Sequence, residues 1–264
     1  MTQKISAKNI SKTYFLPKKR TVATLKEIDL SIEEGEFLVI LGGSGSGKST
    51  LLNIISGMVT PSCGEICMDG NIVTGPHPSR SLLFQEPSLL PWLTVEENIA
   101  FGCRLRGDTK DIDERVNRYI NMIKLTGYEN YLPSELSVGM SQRVCLARAL
   151  MGNPEVLLMD EPFGSLDSFT RMGLQEELLQ IWKKRKFTVI FVTHDLDEAI
   201  TIGSRVVLLG GSPAEIKHRI PIDLTHPRNP MQQDFQKIKA GIMDRFMTMM
   251  KENGTTLQTP GSNP

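Results

Sequence analysis

The stretch "GGSGSGKST" carries Gly42, Gly43, Ser44, Gly45, Ser46 and Gly47 ahead of Lys48, Ser49 and Thr50. It fits the spacing G-x-x-x-x-G-K-[ST]. It lies between the apolar run "GEFLVIL" and the helix-like segment "KSTLLNIISG", which Gly57 stops. Strand, glycine loop and helix in that order can turn backbone N–H groups around phosphate oxygens, with the helix N-terminus adding partial positive charge. The spacing assigns Lys48 to the β- and γ-phosphates of a nucleotide, the Ser49 hydroxyl to Mg2+ and Thr50 to the α-phosphate.

Further along, "VLLMDEP" sets Asp160 and Glu161 side by side at the end of an apolar run. Adjacent carboxylates near a core are costly unless a cation or a reaction uses them. Asp160 is therefore expected to hold Mg2+ through its water shell, and Glu161 to polarise an attacking water as general base. Gln85, after "SLLF", has a side chain that can serve both the metal and that water. His194, in "FVTHD", follows another apolar strand and is expected to contact the γ-phosphate. Neither is informative alone; both become so beside the glycine loop.

A fourth feature is "LSVGMSQR", residues 136–143, at a helix start, where Val138 stands in a position often held by glycine. A backbone N–H there still faces a phosphate if φ stays negative, since valine gives up only the left-handed conformations.

These residues need a scaffold of alternating strands and helices. "KISAKNI", "LKEIDLSI", "GEICMDG" and "RSLLFQ" read as strands, as do "EVLLMD", "FTVIFVTH" and "RVVLLG", with "MGLQEELLQIWKKRK" a helix between the first two of these last three. Between residues 87 and 150 the pattern is helical. Thr94 and Glu97 have capping-box spacing, and Ile112, Val116, Tyr119, Ile120 and Ile123 share one face. The expected fold is one α/β domain over residues 1–217 with a mostly parallel sheet, an antiparallel β portion and a helical subdomain inserted at about 87–150. Residues 218–264 read as a tail holding a docked helix, on Phe235, Ile238, Ile242, Phe246 and Met249, and a disordered end from residue 253.

The chain of 264 residues has 30 basic and 30 acidic side chains, so it lacks the positive balance of a protein that grips nucleic acid non-specifically. Cys63 and Cys67 have x3 spacing and no second pair, which argues against a metal clip. With no secretion signal and four scattered cysteines, a reducing cytoplasm fits. No run approaches the about 18 apolar residues of a membrane span, so any pore belongs to another chain.

Taken together, the glycine loop, Gln85, "LSVGMSQR", "LLMDEP", the "GSLD" segment ending at Asp167, and His194 resemble the ATP-binding subunit of ABC transporters, in the family's order. The resemblance implies a P-loop NTPase core and two subunits facing head to tail around two ATP molecules with Mg2+. It places Ser137 and Gly139 of one subunit over the partner's nucleotide, counts Asp167 among the nucleotide-facing residues and matches Tyr14 to the aromatic that stacks on adenine. "FQEPSLLPWLTVEENI", Met140 and "IPIDLTHPRNP" are similar to importer ATPases for nitrate, sulfonate and taurine. That subgroup implies an integral membrane permease touched by residues 87–92, an extracytoplasmic solute-binding protein and a seat on the cytoplasmic face of the membrane. Two alternatives stay open: an ABC ATPase driving a membrane process other than import, and a regulatory module that binds ATP and scarcely hydrolyses it.

Overall fold

The computed structural model describes residues 2–17, 20–164 and 166–252. The expected disordered end lies outside the described residues. A long antiparallel ribbon, β1 (Gln3–Leu16) and β2 (Arg20–Glu33), opens the chain, followed by the short β3 (Phe37–Leu41) and α1 (Lys48–Ser56). Then come β4 (Cys63–Met68), β5 (Asn71–Ile72) and β6 (Arg80–Leu83). Three helices follow in a row: α2 (Val95–Leu105), α3 (Ile112–Met122) and α4 (Val138–Met151). The remainder alternates as β7 (Val156–Asp160), α5 (Ser168–Arg185), β8 (Thr188–Thr193), α6 (Leu196–Ile202) and β9 (Arg205–Gly211), and closes with β10 (Ala214–Pro221) and α7 (Gln233–Glu252).

All ten strands form one sheet in the order β5-β4-β1-β2-β10-β9-β3-β8-β7-β6. From β9 to β6 every neighbouring pair is parallel, while β5-β4-β1-β2 is antiparallel, so the expected division into a parallel core and an antiparallel portion holds. β3 shows why its sequence is an unbroken apolar run. Phe37, Val39 and Leu41 face the core formed with α4, α5, α6 and α7, whereas Leu38 and Ile40 face the core formed with α1 and the β1–β2 ribbon. Both faces are covered, as parallel strands require.

The inserted helices have an apolar core of their own, built from Val95, Ile99, Val116, Ile120, Val144 and neighbours. Thr94 starts α2 with a reciprocal capping box with Glu97, which satisfies two orphan N–H groups.

At the C-terminal end the expected boundary between residues 217 and 218 falls inside β10. This strand pairs antiparallel with β9 through Pro221. Its polar run Lys217, His218 and Arg219 hid it, because one face is only partly buried. α7 docks through Phe235, Ile242 and Met249, which are buried. Gly210 supplies the notch: a Cβ there would sit 2.4 Å from Met249 Sδ. Arg228 ties the preceding segment down by donating to the carbonyls of Leu224, Ile200, Gly203 and Ile222; burial pulls its pKa down to about 10. Among the described residues no helix is long and apolar enough to cross a membrane.

Candidate active site

The glycine loop joins β3 to α1 at the C-terminal end of the parallel strands, where α/β sheets present their ligand crevice. Gly47 and Gly42 are required by geometry. Gly47 caps α1 at φ 79°, and a Cβ there would lie 2.8 Å from Leu25 Cδ2. A Cβ on Gly42 would lie 2.6 Å from the Leu209 carbonyl oxygen. Lys48 is only 5% exposed. Its ammonium donates to the carbonyls of Gly42 and Gly43, both at 2.9 Å, and lies 3.4 Å from Glu161 Oε1. The Ser46 hydroxyl is buried without a hydrogen-bond partner among the described residues.

Asp160 ends β7, pairing with Val192 of β8, and Glu161 then takes φ 44°, a left-handed conformation uncommon for a residue with a side chain. Such strain gathers at functional sites. The turn is held by Glu161 N–H donating to Val192 O at 3.0 Å, and it brings the carboxylate to His194, whose Nδ1 lies 2.8 Å from Oε2. Glu161 thus stands between Lys48 and His194.

The Ser49 hydroxyl donates to Asp160 Oδ1 at 3.0 Å. Burial pushes the Asp160 carboxyl above the ordinary carboxylate range, partly offset by that hydrogen bond. A divalent cation on the same oxygens would favour the charged form. One carboxylate and one hydroxyl beside a phosphate cradle is a donor set that fits Mg2+, which keeps waters and phosphate ligands rather than an all-protein cage.

Lys48, Glu161 and His194 therefore form one bonded chain, and their sequence neighbours Ser49 and Asp160 a bonded pair beside it. Gln85 stands two residues past the end of β6, whose Leu83 is level with Met159 of β7, at the same end of the sheet as Asp160. Tyr14 pairs with Val22 on the ribbon; two residues further along β2, the Thr24 carbonyl oxygen lies 3.2 Å from a Cβ built on Gly47. Lys12 Nζ is 5.1 Å from the Tyr14 ring centroid. Ser137, Gly139 and Asp167 are not bonded to the cluster. Ser137 caps α4, its hydroxyl oxygen accepting from Met140 N–H at 3.2 Å. Asp167 caps α5, accepting from the N–H groups of Phe169 and Thr170, and its hydrogen bonds with Thr170 hold its carboxyl below the usual range.

Val138 opens α4 with a helical, negative φ, as does Gly139 after it. Neither position needs glycine's left-handed freedom. Gly139 is tight for space, a Cβ lying 3.3 Å from Thr170 Cγ2, whereas the Val138 side chain is 53% exposed. It lines an open groove of about 560 Å³ together with Gln85, Glu86 and Pro87.

Two residues of the site were not singled out from the sequence. Gln142, buried in α4, donates from Nε2 to the carbonyls of Gln85 and Pro162. Arg148, one and a half turns further on, donates to the carbonyl and hydroxyl of Ser88. The visible signal was polar residues set in the apolar stretch "VCLARAL" and just before it.

The fold and the cluster together define an ATPase of the P-loop class. The ABC transporter family model matches residues 25–164. The chain is 45% identical over 255 residues to the aliphatic sulfonates import ATP-binding protein SsuB of Bacillus thuringiensis subsp. konkukian, covering 97% of this chain and 98% of that one. It is 46% identical over 238 residues to the protein of the same name from Bacillus subtilis, covering 90% and 92%. Among solved structures it is similar to the ATP-binding cassette MJ0796, a dimer in a post-hydrolysis state with ADP and Pi, at TM-score 0.75 and 31% identity over 84% of this chain and 100% of that one. The chain belongs to the ABC transporter family, as an ATP-binding and ATP-hydrolysing subunit.

Proposed function

We propose that this chain hydrolyses ATP to power import of a small sulfonate through a separate membrane permease, working as a pair of ATPase subunits on the cytoplasmic face of the membrane. The observation that carries the catalytic part is the Glu161 carboxylate held between Lys48 and His194. Lys48 binds the transferred phosphate, and Glu161 orients water and takes its proton. His194 steadies the carboxylate through Nδ1 and offers its ring to the γ-phosphate. Ser49, Asp160 and Gln85 would hold Mg2+, which supplies charge neutralisation on the phosphates. Tyr14 stacks on adenine. In the pair, Ser137 and Gly139 approach the partner's nucleotide from the first turn of α4, where the N–H groups of Val138 and Gly139 have no intrahelical partner, and Asp167 sets the start of α5 beside them. Residues 87–92, where Trp92 is highly exposed, meet the permease, and an extracytoplasmic solute-binding protein delivers the cargo.

Sulfonate rather than another anion is favoured by the near full-length likeness to the aliphatic sulfonate import proteins. Deleting the gene in its native host should abolish growth on ethanesulfonate as sole sulfur source and leave growth on sulfate intact. Normal growth on ethanesulfonate, with failure on taurine or nitrate instead, would overturn the cargo assignment.

Val138→Gly tests the closure of the pair. The exposed branched side chain lies where the partner's ATP must come close, so its removal should raise ATPase turnover or tighten ATP-driven dimerisation by a few-fold at most, with ATP affinity of the isolated subunit unchanged. Steady-state phosphate release reads the turnover, and sedimentation with ATP in a hydrolysis-deficient background reads the dimerisation. No change in either quantity would show that the side chain points away from the nucleotide.

A further inference from the structure

Gln142 is 2% exposed, and both its amide hydrogens are used: Nε2 donates to Gln85 O at 3.1 Å and to Pro162 O at 2.7 Å. The orientation is unambiguous, because the flipped amide would set its oxygen against two carbonyl oxygens. The remaining Oε1 is buried with no partner among the described residues. Each bonded carbonyl belongs to a working part of the site. Gln85 stands two residues past β6 at the end of the sheet that carries Asp160, and Pro162 directly follows the strained Glu161. On the same helix, Arg148 Nη2 donates to Ser88 O at 2.8 Å and Ser88 Oγ at 2.9 Å. Thus α4 grips loop 85–88 at both ends while its first turn carries Ser137 and Gly139.

We propose that Gln142 is a positioning residue, a strut that makes the setting of Gln85 and of the backbone behind Glu161 move as one with α4. The inference rests on the paired-ATPase reading above. A helix whose first turn serves the partner's nucleotide, and whose side chain fixes the catalytic loops of its own, links the two sites energetically, and such coupling is reciprocal. A buried amide with one free acceptor also leaves a second hydrogen-bond arrangement open when loop 85–88 shifts.

Two full-length variants separate positioning from space filling. Gln142→Met keeps the volume and removes the donors; Gln142→His returns an N–H at similar reach. The Met variant should bind a fluorescent ATP analogue within about twofold of wild type. Its kcat should fall at least about tenfold at little-changed KM, the scale expected when catalytic groups are misplaced by a fraction of an ångström. Its dependence on ATP concentration should lose cooperativity, and the His variant should recover part of kcat. A Met variant with wild-type kcat and cooperativity would overturn the strut. Hydrogen exchange on the wild-type protein gives a reading free of any folding defect. Adding the ATP analogue should change protection in residues 85–88 and 162–164 together, and a change in one segment alone would also overturn it. If wild type itself does not hydrolyse ATP, it is the function reading that fails, and not the strut.

Discussion

Glu161→Gln is expected to leave ATP binding within about twofold of wild type and to cut turnover by roughly 10²-fold or more, the usual size of a general-base effect. The substitution is nearly isosteric, so the left-handed backbone at φ 44° and its hydrogen bond to Val192 survive. What is lost is the basic oxygen. A neutral carboxamide accepts no proton from water, and its Lys48 and His194 neighbours no longer face a carboxylate. ATP should therefore bind and stay, and the variant should accumulate an ATP-filled dimer on a sizing column where wild type does not. Steady-state phosphate release measures the turnover. Near-normal release would remove Glu161 from the role assigned to it.

How much of this site was legible follows from how local each feature is. The glycine loop was readable because one strand, one loop and one helix, contiguous in sequence, complete it. Asp160 and Glu161 were readable because an apolar run ending in two acids makes little sense in a core without a cation or a reaction. The left-handed Glu161 was not, since nothing in "DEP" demands positive φ and a residue before proline ordinarily goes to extended backbone; in the fold its N–H donates to Val192 O on β8. The reach of the β1–β2 ribbon was only partly visible. Its register shifts break the alternation by which a strand declares itself, and Tyr14 therefore read as a short motif rather than as part of a 14-residue strand. β10 was missed for a related reason, because Lys217, His218 and Arg219 imitate a linker. Gln142 and Arg148 act across separations of 20 to 60 positions, and a polar side chain in a helix reveals nothing about which distant carbonyl it will meet. Val138 is the opposite case. The sequence raised the question of whether a branched residue spoils the phrase, and a helical φ at the first position of α4 answers that the backbone tolerates it.

The second large effect is expected for Lys48→Met. Among the described residues Lys48 is the one lysine or arginine ion-paired to Glu161, and its ammonium also donates to the Gly42 and Gly43 carbonyls. Its bonds to the Gly42 and Gly43 carbonyls fix the ammonium within the loop. Binding a polyphosphate then requires little rearrangement, and a charge-assisted hydrogen bond in a water-poor site contributes about 1.5–3 kcal/mol. Loss of two such contacts to the β- and γ-phosphates corresponds to about 10²- to 10⁴-fold in affinity. Methionine fills most of the same space, so the melting temperature should change less than the affinity, although two loop carbonyls lose a donor. Arginine does not substitute, since a planar guanidinium cannot sit beneath a loop that holds an ammonium at 2.9 Å from two adjacent carbonyls. Titration with a fluorescent ATP analogue, alongside thermal melts of the same samples, separates lost binding from lost folding. Affinity of Lys48→Met within about threefold of wild type would mean that backbone N–H groups and the α1 N-terminus hold the phosphates without the lysine, and that its buried charge serves the geometry of the loop and the Glu161 carboxylate instead.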